Sequence, residues 1–177
     1  SSSKPKGVED LGAHDNPAWA FSPLNNFYYI HEPFAPQFDA EGYTENPTRA
    51  TGNDCFTAHP TKDDWYETIK LNYGVFYQGG GEQQFDPIPD TWHKMLHILL
   101  FWSSKGVDGF RCDMAEMVPQ AFWNWVIPQV KGQYPHMLFI AEVYNPTLYR
   151  DYLAAGFDYL YDKVGMYDYL RGVTSKN

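Results

Sequence analysis

Apolar positions along the 177-residue chain follow two regimes. Up to about residue 89 they are scattered singly or in short clusters between prolines and turn residues, and from residue 90 they recur with regular periods. Trp92, Met95, Leu96, Leu99, Leu100 and Trp102 repeat at three- and four-residue steps. This predicts a helix over 90–105, with Asp90 as its cap and Gly106 as its stop, and with its apolar stripe against a sheet. Two short apolar runs then end abruptly in a carboxylate, residues 106–113 on Asp113 and residues 137–142 on Glu142. Buried parallel strands deliver acids to the rim of a sheet in this way. Between the two runs, residues 117–126 predict a helix with Pro119 in its first turn, ended by Pro128 and Gly132. Asn145 and Pro146 open another helix to about Ala155, residues 156–162 read as a third strand and 165–173 as a last helix. Strands alternating with helices define an α/β chain with right-handed parallel crossovers. Functional side chains then gather at the C-terminal strand ends, where Asp113, Glu142 and Asp162 fall. Asp162 itself reads as a strand-end or helix-start acid.

Residues 1–89 hold nine of the thirteen prolines and fifteen of the thirty-two aromatic residues. Phrases such as Asn16-Pro17, Ser22-Pro23 and His31-Glu32-Pro33-Phe34-Ala35-Pro36 break helices and impose turns. Extended pieces are expected at 27–30 and 74–77. Residues 61–71 read as a short helix capped by Thr61, with Asp63 and Asp64 in its first turn. Gly79-Gly80-Gly81 reads as a flexible link, without the lysine of a phosphate loop. The organisation expected is a loop-rich aromatic module over 1–89 and βα units over 90–177.

Strand alternation puts Arg111 and Asp113 on one face and Phe110 and Cys112 on the other. A guanidinium beside Asp113 favours its ionised form, as a nucleophile requires. Glu142 follows apolar or small residues and no cation, which points to a raised pKa and a proton-donor role. Two carboxylates in opposed environments make the usual pair for cleaving a glycosidic bond. The spacing fits equally an ordinary ion pair beside a surface glutamate, and it leaves both readings open.

Gly109-Phe110-Arg111-Cys112-Asp113 resembles the segment of the α-amylase family of glycoside hydrolases (family 13) that carries the nucleophile. Phe139-Ile140-Ala141-Glu142-Val143 resembles the segment that carries its general acid/base. Their order and their separation by one helix also fit, and the similarity covers most of the chain from about Asp64 onward. A (β/α)8 barrel takes about 250 residues. The resemblance therefore implies a partial TIM barrel, its central βα units, with an irregular loop-rich inserted domain on the N-terminal side that walls a sugar cleft. The family's Asp-X-X-X-X-Asn-His and Asn-His-Asp segments do not occur, so the chain reads as an interior piece of a longer protein and is expected to be inactive alone.

On this resemblance Asp113 would attack the anomeric carbon. Glu142 would protonate the leaving oxygen and later deprotonate the acceptor, and Arg111 would hold Asp113 ionised. The implied substrate is an α-glucan, starch or a maltooligosaccharide, with Glu116, Met117, Tyr144 and Asn145 as neighbouring contacts. The family often has Lys-His where Glu116 and Met117 stand, which puts its calcium site in doubt. Calcium is an expectation for the longer protein only, and no other cofactor is implied. Hydrolysis and transglycosylation both stay open. So do a non-catalytic glucan-binding relative and a metal-dependent barrel enzyme using Asp113, Glu116 and Glu142.

Charge and composition narrow the partners. A net charge of −9 and a pI near 5.0 argue against nucleic acid, which needs basic patches. No apolar run approaches the length of a membrane span, and no secretory signal pattern opens the sequence, residues 1–7 reading as a loop. Polymeric glucan does not cross membranes, so the longer protein is expected to be secreted, periplasmic or at the cell surface. His93 and His97 have the spacing of a helical zinc pair, but Lys94 stands where the usual glutamate would, and the pair reads as surface or partly packed. Cys55 and Cys112 are expected to be free thiols, Cys112 in a buried strand. The unpaired strand edges of a partial barrel predict self-association.

Overall fold

The structure is a computed structural model that describes residues 11–175; the segment 1–7 lies outside them. The chain divides into two compact units between Met95 and Leu96.

The first unit is built from turns and two-residue strands. β1 (Tyr29–Ile30) pairs antiparallel with β2 (Thr48–Arg49), and β3 (Val75–Phe76) with β4 (Glu82–Gln83). Frequent prolines, which cannot donate to a ladder, keep the strands short. Tyr28, Ile30, Ala50 and Ala58 form a buried cluster flanked by Phe21 and Phe56, and the Tyr28 hydroxyl donates to the Val75 carbonyl at 2.8 Å. Residues 61–71 form a single 3-10 turn, Lys62–Asp64, capped reciprocally by Thr61 and Asp64, instead of the expected helix. Trp65 enters the left-handed region (φ 49°), and beyond it Ile69 and Leu71 bridge to Thr51 and Phe27. Those cross-chain bridges use the backbone groups that a helix would need. Nor is Gly79-Gly80-Gly81 a link. It closes the β3–β4 hairpin, with Gly80 and Gly81 at φ 94° and 86°, a region that favours glycine.

Buried Asn26 ties this unit together. Its Nδ2 donates to Asp90 Oδ2 (2.9 Å) and Thr91 Oγ1 (3.2 Å), and its Oδ1 accepts from Lys94 Nζ and the Gly12 N–H, both at 2.7 Å. Helix α1 (Asp90–Ser103) thus begins with the Asp90 carboxylate turned to Asn26 and Lys94. Burial pushes the Asp90 pKa up, but the bonds from Asn26 and Lys94 outweigh it and hold it below the ordinary range. Asn26→Ala is expected to cost about 2–3 kcal/mol, because it strips the Gly12 N–H of its side-chain acceptor and takes from buried Lys94 one acceptor besides Asp90. Urea unfolding would measure it. The apolar stripe of α1 is less covered than expected. Trp92 is buried and its indole N–H donates to the Tyr73 carbonyl, whereas Leu96, Leu99 and Leu100 are half-buried and Trp102 is exposed.

The second unit has the expected α/β alternation. β5 (Gly109–Cys112), β6 (Leu138–Ala141) and β7 (Tyr159–Leu160) form a parallel sheet in that order. Helix α2 (Gln120–Gln133) connects β5 to β6. A 3-10 turn, Pro146–Leu148, runs into α3 (Tyr149–Ala154) and connects β6 to β7. A π-helical turn, Lys163–Tyr167, leads into α4 (Asp168–Thr174). Phe139 and Ala141 are fully buried, and Phe157 contacts Phe139, Trp123 and Tyr152 in one aromatic cluster. The other face, carrying Arg111, Leu138 and Tyr159, is open. Cys112, which pairs with Ala141 on the Phe139 face, is half-buried, short of the burial expected, and both thiols are free.

Helix α2 continues through Pro128 and Gly132, where the sequence predicted its end. Val126, Ile127 and Val130 are buried, and the carbonyl that Pro128 leaves without a partner is that of exposed Asn124. The third strand is shorter than predicted because only Tyr159 and Leu160 pair with β6.

Asp158 locks α2 to the sheet: Lys131 Nζ lies 2.8 Å from both its oxygens, and its Oδ2 accepts the Phe139 N–H at 2.8 Å. Burial pushes its pKa up, but these bonds outweigh it and lower the pKa. The folded pKa is below the unfolded one, so the stabilisation is full above the ordinary carboxylate range and is lost as pH falls through the folded value. The urea midpoint is therefore expected to drop below about pH 4, and Asp158→Asn should flatten that drop.

Candidate active site

β5 and β6 stay zipped beyond their ladder. The Glu142 N–H donates to the Cys112 carbonyl and the Ala115 N–H to the Glu142 carbonyl, both at 3.0 Å. Close approach is possible because position 109 is glycine; a Cβ there would lie 2.5 Å from the Leu138 carbonyl oxygen. Asp113 and Glu142 thus leave the C-terminal ends of adjacent parallel strands on one rim. Between Asp113 and Ala115 the chain turns at Met114, a non-glycine residue at φ 44°, and this aims the Met114 N–H at Glu142 Oε2, 3.0 Å away. Fully buried Ala115 anchors the turn, its carbonyl accepting the Trp123 indole N–H at 3.1 Å. A left-handed conformation at such a residue is uncommon and costs about 1–2 kcal/mol.

One guanidinium serves both carboxylates. Arg111 Nη1 pairs with Asp113, as strand alternation implied, while Nη2 lies 2.9 Å from Glu142 Oε2. The two acids differ in exposure, the Asp113 side chain being 73% exposed and that of Glu142 10%. Arg111 is itself held by Tyr161, whose hydroxyl accepts from Nε at 3.3 Å and whose ring lies 5.4 Å beneath the guanidinium. Tyr161 and Asp113 push the Arg111 pKa further up.

The sequence suggested a raised pKa for Glu142, and the structure gives the opposite direction. The Tyr144 hydroxyl donates to Glu142 Oε1 at 2.5 Å and the Met114 N–H to Oε2; these outweigh burial, and Asp113 and Arg111 lower the pKa further. The cation comes from the neighbouring strand and is invisible in the local sequence. Tyr144→Phe removes the largest contribution, so the Glu142 pKa is expected to move up toward its ordinary value. Carboxyl carbon-13 titration would read that shift.

The remaining candidates divide. Tyr144 is at the carboxylates. Glu116 Oε2 accepts the Asn145 N–H at 3.1 Å, which ties the loops after β5 and β6 together. The Asn145 side chain caps the following turn through the Thr147 N–H at 3.1 Å, a structural use. Met117 is half-buried in the Ala115–Met117 turn, its N–H on the Met114 carbonyl. Asp162 caps the π-helical turn by accepting the Gly165 N–H at 2.8 Å. Tyr161 is the contact that sequence reasoning missed.

Among the described residues no group of three or more His, Cys, Asp or Glu side chains could hold a metal ion. At the positions flagged for calcium, Glu116 is engaged by Asn145 and Met117 offers only a soft thioether, which does not fit a cation that takes oxygen ligands. A guanidinium also stands between Asp113 and Glu142, where the metal-enzyme reading needs an ion. His93 and His97 are both exposed.

Two carboxylates sharing a guanidinium at the rim of a parallel sheet define the class, an α/β protein with a paired-acid site. No family model matches the chain. It is 30% identical over 136 residues to an α-1,4-glucan:maltose-1-phosphate maltosyltransferase from Cereibacter sphaeroides, covering 72% of this chain and 21% of that protein. A maltosyltransferase of the same description from Mycolicibacterium smegmatis is 39% identical over 70 residues, 39% of this chain and 10% of that protein. Among solved structures, an α-amylase from Lactobacillus plantarum matches with a TM-score of 0.47 at 25% identity, covering 78% of this chain and 29% of that one. The chain belongs to the α-amylase family. It spans about a fifth of the length of the first of these curated relatives.

Proposed function

We propose that the protein to which this chain belongs breaks and re-forms α-glucosidic bonds by double displacement, with Asp113 as nucleophile and Glu142 as acid/base. The observation that carries this reading is the pair of carboxylates on one guanidinium at the ends of adjacent parallel strands. The second unit is read as central βα units of a (β/α)8 barrel and the first as the domain inserted into it. Asp113, the more exposed acid, attacks the anomeric carbon. Glu142 gives its proton to the departing oxygen and recovers one from the acceptor. In the free chain Glu142 is held toward its ionised form. A sugar that displaces water from the rim desolvates the carboxylate, and desolvation is the contribution that raises its pKa.

Transfer to a sugar hydroxyl is the reading favoured over hydrolysis, because the similar curated proteins are named as maltosyltransferases. The test supplies the full-length protein with maltose 1-phosphate together with a maltooligosaccharide acceptor, or with a maltooligosaccharide as both donor and acceptor, and follows products by chromatography and anomeric proton NMR. Chain elongation with retained α-configuration is expected. Release of free maltose alone would establish hydrolysis, inverted product would remove Asp113 from the nucleophile role, and glucan binding without turnover would favour a non-catalytic relative.

A further inference from the structure

Arg111 brings a cation to both acids, yet its side chain is 39% exposed. Ion pairs between exposed side chains hold their geometry weakly, and a simpler pairing is at hand. Asp113 stands two residues along the same strand, and a guanidinium meets a single carboxylate best by bonding both its oxygens through two parallel N–H groups. The structure shows another arrangement. Nη1 pairs with Asp113, Nη2 lies 2.9 Å from Glu142 Oε2, and Nε donates to the Tyr161 hydroxyl at 3.3 Å. The Tyr161 ring, 5.4 Å away, covers one face of the guanidinium. Tyr161 is in turn anchored through its backbone just past β7. Its N–H donates to the Ala141 carbonyl at 3.0 Å, and its carbonyl accepts the hydroxyl of Tyr149, the first residue of α3, at 3.3 Å. The tyrosine is thus tied to β6, the strand that delivers Glu142.

We propose that Tyr161 is a positioning residue that turns the Arg111 guanidinium so that it bridges Asp113 and Glu142 instead of closing on Asp113 alone; its consequence for turnover rests on the function proposed above. By engaging Nε, the hydroxyl leaves the two Nη groups for the carboxylates, one each. The ring beneath opposes rotation of the guanidinium plane. The groups that face Glu142 are Arg111 and Asp113 from the neighbouring strand and Tyr144 from its own loop. The two other acids nearby are turned elsewhere, Glu116 to the Asn145 N–H and Asp162 to the Gly165 N–H. A cation kept at Glu142 favours its ionised form, the form that must take the acceptor's proton.

Tyr161→Phe keeps the ring and removes only the acceptor, whereas Tyr161→Leu removes both. Tyr144 and the Met114 N–H lower the Glu142 pKa most, and Arg111 adds a smaller part. In carboxyl carbon-13 titration of the 177-residue chain, Tyr161→Phe is therefore expected to raise the Glu142 pKa by less than Tyr144→Phe does, and Tyr161→Leu by more than Tyr161→Phe. In an Arg111→Lys background neither should add anything, because no guanidinium is left to orient. In the full-length protein Tyr161→Phe should lower kcat/KM at the pH optimum about tenfold, the scale of a slightly displaced catalytic group. The alkaline limb, which requires protonated Glu142, should move to higher pH. An unchanged Glu142 titration in both variants overturns the positioning role and leaves the proposed function standing. A shifted titration with an unmoved alkaline limb keeps the positioning role and removes Glu142 as the acid. A neutral Tyr161→Phe beside a Tyr161→Leu that raises KM alone would assign the ring to the sugar and overturn the proposal, as would undiminished effects in the Arg111→Lys background.

Discussion

Asp113→Asn in the full-length protein is expected to lower turnover by about 10⁴-fold or more, the scale of removing a nucleophile from a unit whose members act together. An amide oxygen cannot attack the anomeric carbon at a useful rate, yet it keeps the shape of the carboxylate, and the fold of the rim should be unchanged. Glu142→Gln removes only proton transfer, worth about 10²–10⁴, and its cost should depend on the leaving group. A glucan hydroxyl leaves poorly and needs the proton, whereas the phosphate of maltose 1-phosphate leaves without much help. The ratio of the two penalties therefore reports the roles. A Glu142→Gln variant equally impaired on both donors would argue that Glu142 positions rather than protonates. An Asp113→Asn variant that keeps more than a tenth of its turnover would remove the two-acid mechanism altogether. The measurement is kcat/KM for each donor, which reports the step that breaks the donor bond and leaves out the second step, common to both donors, in which Glu142 acts as base.

Much of this site was legible because it depends on local periodicity. Arg111 and Asp113 are two apart on a strand and must share a face, and a short apolar run ending in Glu142 places that acid at a strand end. What was not legible comes from register and from turns. Glu142 meets a guanidinium because β5 and β6 pair Arg111 with Ile140, and a single sequence does not encode which residues of two parallel strands face each other. The same ignorance hid Tyr161 and reversed the expected direction of the Glu142 pKa. The helical predictions failed for related reasons. Thr61 and Asp64 form a good cap, but the chain beyond Trp65 gains more from bridging Thr51 and Phe27 than from continuing a helix. Pro128 and Gly132 ought to end a helix, but the neighbouring Ile127 and Val130 are fully buried, and tertiary burial outweighs local propensity.

Phe139→Ala is the stability counterpart of the catalytic variants, with an expected cost of about 3–5 kcal/mol. Its ring is fully buried, 5.5 Å from Phe110 and 6.2 Å from Phe157 between centroids, so truncation opens a cavity where β5, β6 and the turn into β7 meet. That cost is a large part of the 5–15 kcal/mol by which domains are commonly stable. Leu138, the next residue, points to the open face and is 42% exposed; Leu138→Ala is expected to stay within about 0.5–1 kcal/mol. Urea midpoints of the two variants should thus differ widely although they sit side by side on one strand. Equal losses would mean that the open face is covered in solution, as self-association through Leu138, Tyr159 and Tyr161 would produce, and the midpoints would then depend on protein concentration. The comparison also bears on chemistry, because β6 delivers Glu142 to the rim. A strand loosened beneath Phe139 should release the Glu142 carboxylate from Tyr144 and Met114, and its pKa should rise toward the ordinary value as the strand frays.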